Sequence, residues 1–401
     1  MTFYDVKDIQ IQPFSTSSSR TTFLLHYKEV FLEVGADVVD LVKCMQRYSS
    51  EEDAIAAYVN TMGEVYSSQM VMNFWMQLKD KLDPIVDGKV KKRKVFFFQK
   101  ELISADRIAR YTSWFSFLFR KEVMGIFAIC FIVCEVYFFS NVLFTLQVPR
   151  IGLYTLGALL LFFIFSSLIH EMGHAAACRY YNVQHGGIGF GLYVNIPVFY
   201  TDVSRIWKLS RGQRCVVNLA GIYFQAILLL PFLIAYSFTY SDLVKYVVFV
   251  ANLNFFVTLN PFFKFDGYWL MTDLLGIPNL RKRSNEFITY YWKKLRGKAA
   301  GKQPYLLSLP RRIKFVFTVY TVVVNLFFAY YFFYVIPVFL IRFCRTFPDK
   351  FEQLLTELLN QQLPDWANLQ QLAVQLLFLG LTVYMVYRIV FSLFHRRKEL
   401  L

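Results

Sequence analysis

Residues 161–181 read "LFFIFSSLIHEMGHAAACRYY". Up to Ile169 the run is apolar apart from two serines. The span Tyr154–Ala177 that contains it has the ~20-residue length that crosses a bilayer as a helix. His170, Glu171 and His174 then fall at its far end, where ionisable side chains are costly and mark function rather than packing. This stretch decides the class of the chain: a membrane helix that carries chemistry.

The rest of the sequence agrees. Of 401 residues, 56% are hydrophobic and only 18% charged, against about half and a quarter for a soluble domain. The excess is concentrated in long runs, which predicts an all-α polytopic membrane protein with about six transmembrane helices. The expected spans are Met124–Leu146, Tyr154–Ala177, Val216–Phe238, Leu243–Leu259, Phe315–Ile341 and Leu372–Phe394. The fourth is short and holds Asn252 and Asn254. No early apolar core suggests a signal peptide.

Charge gives an orientation. Arg179, Arg205, Lys208, Arg211 and Arg214 face the single acid Asp202 in one loop, and "RKR" at 281–283 lies in another. Asp349, Glu352, Glu357 and Asp365 make 343–370 acidic. Basic loops stay in the cytoplasm. Six spans with the N-terminal domain inside therefore put both termini in the cytoplasm of a multi-pass plasma (inner) membrane protein. The net charge of +15 has the same origin, and no nucleic-acid module accompanies it. The six cysteines fit neither a disulfide framework nor paired zinc knuckles.

Before the membrane region, residues 1–95 read as a small cytosolic α+β domain. "TFLLHY" and "VFLEV" suit a hairpin. A helix follows over Ala36–Met45, a second opens at the Ser50–Asp53 capping box, and a third covers Ser67–Leu82 ahead of Pro84. Residues 96–122 form a basic, amphipathic connector suited to the anionic lipid surface. Residues 123–401 form the transmembrane domain.

His170-Glu171-Met172-Gly173-His174 is an HExxH motif. Residues i and i+4 share a helix face, so both imidazoles reach one metal ion, and the intervening Glu is placed to take a proton from water. A hydrolytic zinc needs a third protein ligand. The other histidines are His26, His185 and His395; the better candidate is Asp266 in "LNPFFKFDGYW". It follows the fourth span on the same predicted side, and Gly267 would let the backbone turn sharply. An ordinary turn carboxylate is the competing reading.

These residues resemble the site-2 protease family of intramembrane zinc metalloproteases. The resemblance implies one zinc ion held by His170, His174 and Asp266, Glu171 as the base, and Asn260 as a polar residue near the substrate. "NLAGIYFQ" at 218–225 resembles a further motif of that family, with Ile222 and Gln225 in place of its Pro and Asn. "HEMGHA", "IPVFYTDVSRIWKLS" and "LNPFFKFDGYWLMTDLLGIPNL" look closest to the peptide zinc metalloprotease branch found with bacterial peptide-maturation and secretion systems. Asp202 in the second of these is either a partner for a ligating histidine or a loop turn. "GGIGFGLYVNIPVFY" at 186–200 is either an edge strand for substrate or a re-entrant loop.

The N-terminal stretch "FLLHYKEVFLEVGADVVDLVKCMQRYSSEEDAIAAY" resembles the winged-helix-like leader-recognition domain typified by the pyrroloquinoline-quinone peptide chaperone. That implies a leader peptide added as a strand along Val30, Phe31, Leu32, Glu33 and Val34, beside a helix bearing Met70, Phe74 and Leu78. The expected function is a membrane-embedded zinc endopeptidase cleaving a ribosomally made precursor peptide. Other peptide-maturation enzymes or an exporter are its expected partners, and it has none among nucleic acids. The alternatives are a non-proteolytic docking or export component and, less well matched by the charges, a secondary transporter.

Overall fold

A computed structural model describes residues 3–19, 21–28, 30–63, 65–82, 85–86, 89–90, 99–142, 152–193, 196–297 and 304–398. The chain divides into two compact units, residues 1–314 and 315–401.

The first unit begins with three antiparallel strands, β1 (Gln10–Phe14), β2 (Thr22–Tyr27) and β3 (Val30–Gly35), in that spatial order. The β2–β3 register pairs Phe23 with Val34 and Leu25 with Leu32. Three helices cover the sheet: α1 (Ala36–Arg47), α2 (Glu51–Thr61) and α3 (Ser68–Leu82). Strand alternation sends Leu25, Tyr27 and Val34 inward, where they meet Val39, Val42 and Met45 of α1 and Trp75 of α3. The α2 cap forms as its spacing requires, with Ser50 Oγ accepting from Asp53 N at 3.2 Å. The anticipated hairpin and helices are all present; β1 was not anticipated. Its five residues contain Pro13 and alternate weakly, as suits an edge strand.

After two short strands, β4 (Ile85–Val86) and β5 (Lys89–Val90), the chain enters β6 (Gln99–Ile103) and α4 (Ala105–Phe115). The basic run at 91–94 lies outside the described residues. The sequence pattern anticipates only a basic, amphipathic connector over 96–122. In the structure β6 pairs antiparallel with β7 (Ile188–Tyr193), which pairs in turn with β8 (Ile196–Thr201). Thus 186–200 is largely a hairpin. Among the described residues β8 has a neighbour on one side only, so it is an edge strand.

The long helices are α5 (Lys121–Asn141), α6 (Leu153–Tyr180) and α7 (Arg211–Thr239). Then come α8 (Asp242–Thr258), α9 (Asp266–Leu275) and α10 (Leu280–Leu295). The second unit holds most of α11 (Arg311–Tyr330), a π-helical turn at Tyr331–Val335, α12 (Ile336–Leu359) and α13 (Trp366–Lys398). Among the described residues, five helices are long and apolar enough to cross a membrane, where six spans were expected. The difference is α8. It has 17 residues, about 25 Å of helix against a hydrocarbon core of ~30 Å, because Asn260-Pro261 stops it. The fifth expected span is also longer than anticipated. α11, the π turn and α12 run on as one 49-residue helix from Arg311 to Leu359. Along α12, Phe339, Phe343, Phe347 and Phe351 stack at successive turns, and Phe339 meets Phe378 of α13 at 4.3 Å.

Helices α6 and α7 pack most closely where the polar residues lie. A Cβ on Gly221 of α7 would run into the ring of His170 on α6. Glycine is what lets this ring lie against the neighbouring backbone. Gly221→Ala should therefore destabilise the protein by about 1–3 kcal/mol, the usual cost of overpacking a tight contact. A lowered thermal midpoint in micelles checks this; an unchanged midpoint would show that the helices can part without loss.

Candidate metal centre

Nothing in the periodicity of α6 separates its last turns from an ordinary span, yet the surroundings differ. His174 and Glu171 are buried, and Ala175, Ala176, Ala177 and Cys178 are fully enclosed. The spacing of four puts both imidazoles on the face turned to α7.

Each ring is held from behind. His174 Nδ1 lies 2.8 Å from the Val217 carbonyl, and His170 Nδ1 lies 3.0 Å from Gln225 Oε1. Gln225 Nε2 reaches Ser166 Oγ at 2.9 Å and the Ser166 carbonyl at 3.4 Å. A carbonyl only accepts, so this fixes which end of the amide faces His170. Asn254 Nδ2 donates to the same Gln225 Oε1 at 3.4 Å. Both Nδ1 atoms therefore carry the proton and donate, and both Nε2 lone pairs point away from α7's acceptors.

What those lone pairs meet is Asp266, the first residue of α9. Its Oδ2 lies 2.8 Å from His170 Nε2 and 3.2 Å from His174 Nε2, and the two nitrogens are 3.1 Å apart. The chain reaches this point through a turn after α8 in which Asn260 Oδ1 accepts from Phe262 N at 2.8 Å. Gly267 plays a different part from the sharp turn expected of it. A Cβ there would strike the Leu259 carbonyl, so the glycine lets α9 start directly against the end of α8.

A ligand atom from each of His170, His174 and Asp266 lies within 4.8 Å of the others. A tetrahedral ion with bonds of ~2.0–2.1 Å holds its donors ~3.3 Å apart, close to the three separations found. Two neutral imidazoles and a carboxylate suit zinc, and the orienting acceptors behind the rings are of the kind that ligating histidines have. The residues fit the ion.

The remaining candidates are dispersed. Glu171 is on the same helix, 9% exposed, with its carbonyl accepting from Thr201 Oγ1 of β8 at 3.3 Å. Asp202 serves the loop: its Oδ1 accepts from Ser204 N at 2.9 Å and its carbonyl from Gly186 N at 2.8 Å. His26 stacks on Phe31 across the β2–β3 pair, and His185 meets the Gly186 carbonyl. Leu32, Glu33, Val34, Phe74, Leu78 and Lys81 line a cavity of about 260 Å³ between β3 and α3. Val30 instead packs on the domain core, and Met70 is exposed on α3. Burial raises the Glu33 carboxyl, against the opposing pull of Arg283 and Lys282.

Gln225 is the site residue that sequence reasoning undervalued. It stands where the resembled family has Asn, and that departure weakened the case for the helix. Replacing it with Leu keeps the volume but removes the acceptor. Metal affinity should fall about 10–100-fold, the usual effect of losing such an orienting partner. Chelator competition measures it; unchanged affinity would mean His170 needs no orientation.

A curated protein is similar to part of the chain. Over 138 residues the chain is 24% identical to the "putative peptide zinc metalloprotease protein YydH" of Bacillus subtilis (strain 168). The alignment covers 33% of this chain and 52% of that protein, so the chain spans about half the length of this relative. No family model matches the chain, and no solved structure matches it.

Proposed function

We propose that the protein is a membrane-embedded zinc endopeptidase that cuts a ribosomally made precursor peptide at the cytoplasmic membrane face. The observation that carries this reading is the convergence of His170, His174 and Asp266, with both histidine rings oriented from behind and Glu171 beside them. Five apolar helices support membrane embedding, and the relative's name supports peptide hydrolysis.

A zinc ion held there supplies a Lewis acid that acidifies water and polarises a peptide carbonyl. Glu171 takes the proton from the attacking water and delivers it to the leaving amine. The substrate is drawn out along the outer edge of β8, whose Thr201 touches the main chain of Glu171; main-chain pairing there suits varied sequences. Asn260 shapes the turn that brings Asp266 in, and Asp202 shapes the loop after β8.

The leader of the same peptide lies along β3, beside Val30–Val34. β3 is an edge of its sheet, and the cavity beside it takes an apolar side chain against Phe74 and Leu78. Met70 extends the surface along α3. Peptide-maturation enzymes or an exporter would work beside it.

Co-expression with short peptides encoded beside the gene tests this reading. Mass spectrometry should find a cleaved peptide with the wild type and the intact one with Glu171→Gln. Intact peptides with both proteins would overturn it.

A further inference from the structure

α9 begins with Asp266 and is anchored seven residues later by Asp273. Arg214 of α7 donates from Nε to Asp273 Oδ1 at 2.6 Å, and Asn218 Nδ2 donates to Oδ2 at 2.8 Å. Arg211 Nε reaches the Asp273 carbonyl at 3.0 Å and its Nη2 the Leu274 carbonyl at 2.7 Å. Arg214 and Asp273 are only 2% and 5% exposed. A buried ion pair is worth holding only when its remaining valences are met and water is kept out. Here both carboxylate oxygens are bonded, and Arg214 Nη1 donates to the Leu209 carbonyl at 2.9 Å.

The cover over this pair comes from elsewhere in the chain. The Arg214 guanidinium lies 5.1 Å from the ring centre of Phe14, the last residue of β1, and 5.5 Å from that of Trp207. The rings of Phe14 and Trp207 are 5.9 Å apart, and Trp207 meets Trp269 of α9 at 6.3 Å. Just beyond Phe14, Ser17 N donates to the Gly276 carbonyl at the end of α9 at 2.9 Å. The N-terminal sheet thus closes over the same ion pair that fixes α9 to α7, and α7 also carries Gln225, Gly221 and the Val217 carbonyl. Ring cover of this kind strengthens the pair by excluding water and by the attraction of guanidinium for aromatic faces.

We propose that Phe14, Arg214 and Asp273 form a positioning lock that sets where α9 begins, and hence holds Asp266 against the imidazoles of α6. The N-terminal sheet is then needed for metal retention as well as for peptide recognition. This rests on reading the His170–His174–Asp266 triad as a metal site. Phe14 touches none of the three groups; it acts through Arg214 and α9.

The test uses the full chain in micelles, loaded with cobalt(II), whose d–d bands report the ligand set. Phe14→Ala and Asp273→Asn should bind cobalt about tenfold more weakly and shift the bands away from those of the wild type. Phe14→Tyr, which keeps the ring, should restore wild-type values. Leu25→Ala, in the core of the same N-terminal sheet, should lower the thermal midpoint without moving the bands. If Phe14→Ala does not accumulate, Phe14→Leu removes the aromatic face and makes the same comparison. Wild-type bands and affinity in the Phe14 variant would overturn the lock while leaving the metal reading intact. Equal shifts from Leu25→Ala would overturn it too, by assigning the loss to general destabilisation. Failure of the wild type to take up cobalt would instead overturn the metal reading.

Discussion

Glu171→Gln is expected to lower peptide cleavage by about 10²–10⁴-fold, the range that a positioned general base contributes. Metal content should stay at the wild-type level. The substitution keeps volume and hydrogen-bonding capacity at a nearly buried position of α6, so helix packing is preserved. Only the affinity for a proton is lost. The three candidate metal donors lie on His170, His174 and Asp266, and none is touched. A time course of product formation, paired with elemental analysis of the same sample, separates the two effects. Cleavage at the wild-type rate would remove Glu171 from the chemistry.

Asp266→Ala should produce the complementary loss, of metal and activity together. It leaves two imidazole nitrogens 3.1 Å apart with no anionic donor between them. A catalytic zinc is held by three protein ligands. Removing one should cost more than the about 10–100-fold that losing an orienting partner costs. The variant should therefore be purified without zinc under conditions where the wild type retains it. Stripping the wild type with a chelator should abolish cleavage, and added zinc should restore it. A variant that keeps its zinc would show that another group completes the site.

Much of this architecture is legible in the residue pattern, because length and apolarity are local properties. The α6 and α7 spans, the N-terminal helices and the Ser50 cap follow from periodicity and capping chemistry. The HExxH spacing likewise fixes a shared face without knowledge of the fold. What the pattern hides are contacts between distant segments. β6 looks like part of an amphipathic connector because its partner, β7, lies almost ninety residues away. α8 reads as a span by composition, but the Asn-Pro stop leaves it short. Gln225 reads as a departure from a motif, and only the packing of α7 on α6 shows its amide behind His170. The Arg214–Asp273 pair is also invisible in sequence, since a basic residue in a basic loop looks solvated until its carboxylate partner is found 59 positions on.

The contact between the His170 ring and Gly221 has a thermodynamic consequence. A ligand side chain normally loses rotamer freedom when its metal arrives, and that loss weakens binding. Here the ring lies against bare backbone, with Gln225 gripping its far nitrogen, so its freedom is already lost when the helices pack. The ordering cost belongs to folding, and an incoming ion would meet donors that are already still. Affinity at such a site is inherited from helix packing, and a single methyl group at position 221 would act on both at once.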